Sequence, residues 1–159
     1  MRRERNDSSG LVRPRVLIRV FLAPDTLDSG IAFYERLQEV EAGARFSVPA
    51  ARPHLAVVGA FLLIEGDDEA LIPFRGTTGT LLVDDVRPYY GRSVAEGSEI
   101  VFPLQEVPAG AAFNARRPDG TVAEYVHHRP TPGRRRPGGR HAEFAGVHAV
   151  AGRSADDAA

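Results

Sequence analysis

Arg116-Arg117-Pro118-Asp119-Gly120-Thr121-Val122-Ala123-Glu124-Tyr125-Val126 decides how the rest of the chain is read. Asp119-Gly120 has the chemistry of a two-residue turn, because both residues tolerate positive φ and such a turn matches the right-handed twist of a strand pair. A hairpin is expected, with Thr121–Val126 as its second strand. Side chains alternate along a strand, so Ala123 and Tyr125 share one face and Val122, Glu124 and Val126 the other. One carboxylate therefore stands in mid-strand between two valines. It is either exposed on a solvated face or aimed into a cleft.

Ahead of this strand come two more, Ser98–Leu104 and Ala111–Arg116, and ahead of those a helix. Asp84-Asp85 offers the N-cap, and Pro88 falls in the first turn, where its missing N–H costs little. Val86, Tyr90 and Val94 give an apolar stripe, and Gly97 stops the helix. The strand Thr80–Val83 leads into it. The order is strand, helix, strand, strand, strand.

The same order stands earlier. Arg15–Leu22 alternates as a strand, with Val16, Ile18 and Val20 on the face expected to meet a helix and Arg15, Leu17, Arg19 and Phe21 on the other. Asp25 is a candidate N-cap for a helix reaching Val40, striped by Leu27, Ile31, Phe33, Tyr34 and Leu37. Strands over Ala44–Val48, Pro53–Val58 and Ala60–Ile64 follow, and Gly66-Asp67-Asp68 closes the stretch. Internal repetition at about 60 residues makes two βαβββ units the organising feature, in the α+β class. The division is a loose leader over 1–14, one module over 15–72, a second over 73–128, and a Pro/Gly/Arg-rich tail over 129–159 that is expected to be disordered.

With 159 residues, the chain has room for one ordinary domain. It has no cysteine, which excludes disulfides, thiolate metal sites and cysteine nucleophiles. Residues 15–128 carry 10 Arg against 16 Asp and Glu, and this acidic body argues against nucleic-acid binding. The run Arg134-Arg135-Arg136 is read as solvated tail. No apolar run approaches the roughly 20 residues of a membrane helix, and the charged start has no apolar segment behind it, so a cytoplasmic protein without membrane partners is expected.

Three short motifs occur in order: Ile31-Ala32-Phe33-Tyr34 in the first helix, Leu82-Val83-Asp84-Asp85-Val86 entering the second, and Pro118 to Val126 at the end. In these the chain resembles the vicinal oxygen chelate superfamily, the glyoxalase, bleomycin-resistance and extradiol-dioxygenase group, over residues 15–128. The resemblance implies two βαβββ modules forming a cup-shaped mixed sheet with helices outside. In the group's metal enzymes, His, Gln or Glu on the first and last strand of each module hold a divalent ion. Here those positions are Arg15, a residue near Thr78, the apolar Phe61-Leu62-Leu63-Ile64 ahead of Glu65, and Glu124. Only Glu124 matches, so no metal and no cofactor are expected. The group commonly has glycine where Glu39 stands, so the first helix is expected to run longer, with Gly43 as its stop.

The resulting expectation is a protein that binds a small organic molecule in the cup, as the bleomycin-resistance branch does. Its candidate ligand-binding residues are Arg15, Leu17, Arg19, Phe21, Thr78, Thr80 and Glu124. Arg15 and Arg19 would either clamp an anion or pair with Glu124. The alternative is a lyase, isomerase or dioxygenase whose metal uses His54 or His128 with Glu124. The sequence leaves open whether the modules pair within one chain or between the two chains of a homodimer.

Overall fold

The computed structural model describes residues 1–3, 7–47, 53–107 and 110–129. The tail from 130 onward, with its arginine run, and Val48 lie outside the described residues. In chain order the elements are β1 (Arg2–Arg3), β2 (Arg15–Leu22), α1 (Leu27–Gln38), β3 (Val40–Glu41), β4 (Ala44–Ser47), β5 (His54–Val58), β6 (Phe61–Glu65), α2 (Asp68–Arg75), β7 (Gly79–Leu82), α3 (Val86–Ala95), β8 (Glu99–Val107), β9 (Gly110–Arg116) and β10 (Val122–His128). The fold is α+β, with two βαβββ modules in one mixed sheet.

Eight strands run in the order β4-β5-β6-β2-β7-β10-β9-β8. The first strands of the two modules meet antiparallel at the centre, with Leu17 opposite Thr80 and Val16 opposite Leu81. The modules therefore pair within one chain. Two helices cover the outer face. Leu27 and Ile31 of α1 pack on Ala56, Val58 and Leu63. Val86 of α3 packs with Ala111, Phe113 and Ala115. There Tyr125 stacks on Phe113, with ring centroids 4.7 Å apart.

The hairpin forms, with a different turn. Gly120 N donates to Arg117 O at 2.9 Å, and Arg117 N donates to Thr121 O at 2.8 Å, enclosing a three-residue loop. Only Gly120 takes a positive φ, of 85°. Pro118 is the reason: its fixed φ suits the first central position of a type I turn, which moves the left-handed residue one place on.

Helix α1 starts and stops where neither end was expected. Asp25 lies outside it with φ 62°, and the N-terminal Leu27 N–H donates to Glu65 Oε2 at 2.6 Å, so the cap comes from β6. It stops at Gln38 because Glu39 itself adopts φ 53°, the conformation usually left to glycine. Glu35 Oε1 then accepts from Ala42 N at 2.8 Å and fixes the exit.

Three further departures shape the site. Val16 and Ile18 point to the outer face but are 55% and 53% exposed. The cause is that α1 sits over β5 and β6 and reaches only Val20 and Leu22 of β2, leaving its Val16–Ile18 end bare. The stretch 1–14 is not loose along its described part: Ser8 is buried, its Oγ accepts from His128 N at 2.7 Å, and Gly10 N donates to Asp84 Oδ1 at 2.8 Å. These groups satisfy the end of β10. Most consequentially, a third helix, α2, lies in the cup. Asp67 caps it, its side chain accepting from Ala70 N at 2.8 Å. Leu71 and Phe74 pack with Leu17, Leu55, Leu62, Ile64, Leu82 and Val126 on the concave face. The expected module division at 72/73 falls inside this helix. Among the described residues no helix is long and apolar enough to cross a membrane.

Candidate functional site at the cup floor

The register of the central strands sets one polar row beneath α2. Glu124 on β10 lies opposite Thr80 on β7 and opposite Asn114 on β9. Arg19 reaches in from β2. Its Nε donates to Thr80 Oγ1 at 3.3 Å, and that hydroxyl donates to Glu124 Oε1 at 3.2 Å. Arg19 Nη2 stands 3.6 Å from Glu124 Oε1, with the two side chains 1% and 0% exposed. Burial lowers the pKa of Arg19 from its ordinary value, and the Glu124 charge works against that.

The last turn of α2 and the residues just after it touch both ends of this row. Arg19 Nη1 donates to the Phe74 carbonyl at 3.2 Å, and Asn114 Nδ2 donates to Thr77 Oγ1 at 3.3 Å. Two floor residues each keep one atom over. Arg19 Nη2 and Asn114 Oδ1 are buried without a hydrogen-bond partner among the described residues. The floor thus combines a charge-balanced pair with one spare donor and one spare acceptor, walled by Leu17, Leu82 and Val126.

Of the residues singled out from sequence, Arg19, Thr80 and Glu124 come together. Leu17 is fully buried in the same concave face. Phe21 lies at the rim, where the Arg75 guanidinium sits 5.0 Å above its ring. Arg15 turns away, its Nη2 donating to Gly59 O at 2.6 Å. Thr78 is exposed, a correction to its expected inward place. It precedes the first residue of β7, so strand alternation does not reach it, and Thr77 is buried instead. Thr77, Asn114 and Phe74 were missed. Asn114 was legible as the polar residue in a strand of alanines, sharing parity with Ala112.

A divalent ion of the kind the superfamily resemblance implies does not suit these residues. Glu124 is ringed by an arginine, a threonine and an asparagine, and among the described residues no three His, Cys, Asp or Glu side chains cluster. A hard cation needs several oxygen donors and is repelled by a guanidinium. His54 is exposed at the start of β5. His128 lies four residues beyond Glu124 on β10, roughly 13 Å along the strand.

No family model and no curated protein matches the chain. Solved structures do. An uncharacterized protein from Methanosarcina mazei is 37% identical, over 72% of this chain and 92% of its own, with a TM-score of 0.66. This chain belongs to the family of that protein. A variant of 4-hydroxymandelate synthase from Streptomyces coelicolor superposes with a TM-score of 0.52 at 18% identity, over 76% of this chain and 50% of that one. A hypothetical protein from Bacillus halodurans gives 0.52 at 14%, over 74% and 96%. At these identities the fold is what is shared, and it is the vicinal oxygen chelate fold. Within that fold, the last strand of the second module carries Glu124, and the first strand of the first module carries the arginine that meets it.

Proposed function

We propose that this member of the fold binds a small organic molecule in its cup without a metal, in the manner of a sequestering protein. The observation that carries the reading is the floor itself. A guanidinium is seated against the one carboxylate that matches a ligand position of the superfamily's metal enzymes. Among the described residues, Nη2 of that guanidinium and Asn114 Oδ1 are buried without a hydrogen bond and can donate one to a guest or accept one from it, with Leu17, Leu82 and Val126 around them. A site of this composition, apolar with a few convergent polar groups, is the kind that holds small molecules.

The test is a thermal-shift screen of small organic molecules on tag-free protein, in EDTA and in added divalent metal. Stabilisation by a hit should be the same in both and should weaken tenfold or more in affinity in Asn114→Leu. A stoichiometric divalent ion in the purified protein, with binding that vanishes in EDTA, would overturn the reading in favour of a metal-dependent lyase, isomerase or dioxygenase.

A further inference from the structure

We propose that α2 is a displaceable plug that imitates the cup's guest, and that the guest is an uncharged molecule with an aryl body and an amide head; this rests on the cup-binding reading above. The plug is built to be weak. It has eight residues and Pro73 inside it. Proline supplies no N–H to the helix ladder, and so short a helix is marginal without packing. Its packing comes from Leu71 and Phe74, while Ile72 is 67% exposed. Space lies at its flank: a pocket of about 370 Å³ opens between α2 and the end of β2, lined by Phe21, Leu22, Gly66, Asp67, Leu71 and Arg75.

The imitation is read from the hydrogen bonds. The Phe74 ring occupies the apolar concavity, and the Phe74 carbonyl accepts from Arg19 Nη1. Thr77 Oγ1 accepts from Asn114 Nδ2. The plug therefore satisfies one atom each of Arg19 and Asn114; among the described residues Arg19 Nη2, ion-paired with Glu124 at 3.6 Å, and Asn114 Oδ1 stay buried without a hydrogen-bond partner. A buried polar atom that makes no hydrogen bond is penalised, so a molecule that supplies an acceptor to Arg19 and an N–H to Asn114 has an advantage that the plug lacks. Charge narrows the class further. Arg19 and Glu124 already balance each other. A carboxylate guest would bury an uncompensated negative charge beside Glu124, and an ammonium guest would do the same beside Arg19. An amide supplies both the acceptor and the donor at no net charge. The Phe74 ring, its two carbons and its carbonyl have the skeleton of 3-phenylpropanamide, which is the probe.

Hydrogen exchange on the full chain reads the plug, and calorimetry reads the probe. Without any ligand, amides of residues 70–77 should exchange at least tenfold faster than those of β10. Saturating 3-phenylpropanamide should make them faster still, because the plug is expelled. Thr77→Val, which removes the bond to Asn114, should bind the amide at least threefold more tightly than the wild type, and 3-phenylpropanoate should bind to neither. Protection of residues 70–77 equal to that of β10, amide binding that leaves this protection unchanged, no amide binding to Thr77→Val, or equal binding of the propanoate would each overturn the proposal. The ligand-free exchange does not depend on any guest being found. A screen hit that binds with α2 still protected would end the plug and leave the cup-binding reading standing.

Discussion

Replacing Arg19 by Met would leave Glu124 as a buried carboxylate with its nearest positive charge gone. The guanidinium and carboxylate stand 3.6 Å apart, with side chains 1% and 0% exposed. At an effective dielectric of roughly 20, two unit charges at that separation attract by about 5 kcal/mol. That agrees with the roughly 3–5 kcal/mol lost when one partner of a buried pair is removed. Glu124→Gln should lose a similar amount, because Arg19 is then the uncompensated charge. The double variant Arg19→Met/Glu124→Gln removes both charges and keeps an acceptor for the Thr80 hydroxyl. Its loss should fall well short of the sum, giving a coupling of about 3–5 kcal/mol. Urea unfolding at pH 7, followed by circular dichroism on all four proteins, measures the cycle. Losses that add to within about 0.5 kcal/mol would refute the reasoning, since they would mean that the two groups do not interact across the floor.

Glu39→Gly should stabilise the protein by about 1 kcal/mol, because a non-glycine residue is strained at the observed φ of 53°; a melting temperature that does not rise would count against it. Gly120→Val should destabilise by about 2 kcal/mol or more, since a β-branched side chain at φ 85° is strained even with open space around it; calorimetry checks this. His127 is held neutral by burial, and its Nδ1 accepts from Val86 N at 3.1 Å, capping α3. Because its folded pKa lies below the ordinary 6.5, its contribution is complete above that value and is lost as the pH falls below it. Urea midpoints between pH 7.5 and 5 should therefore drop more steeply in the wild type than in His127→Gln.

Much of the fold could be read because its cues are local. Period-two alternation in Arg15–Leu22, the Asp85 cap and the hairpin ending at Gly120 each rest on cues within a few residues, and all three stand in the structure, the hairpin with a loop one residue longer than expected. Alternation also placed Arg19, Thr80 and Glu124 on one face. What failed depended on partners distant in sequence. Val16 and Ile18 have the right parity and no cover, because which strands α1 lies over is decided by packing rather than by the alternation of β2. The cap of α1 comes from Glu65, thirty-eight residues away. Helix α2 was hidden by Pro73 inside so short a segment, although Asp67 as a cap and the spacing of Leu71 and Phe74 were there to be seen. Thr78 was assigned by extending alternation past the point where β7 begins.

The hydrogen bond from His128 N to Ser8 Oγ joins positions 120 residues apart. In connectivity terms the folded body is nearly a ring, with only a short gap between the leader and the end of β10. A circular permutant that links residue 7 to residue 129 by a few glycines and opens the chain at Gly97, in the exposed turn after α3, would begin with β8 and end with α3. Every strand of the eight-stranded sheet would keep its neighbours, and the central β2–β7 seam would lie within an unbroken stretch of chain. The order in which the elements are written is thus separable from the order in which they lie in the sheet.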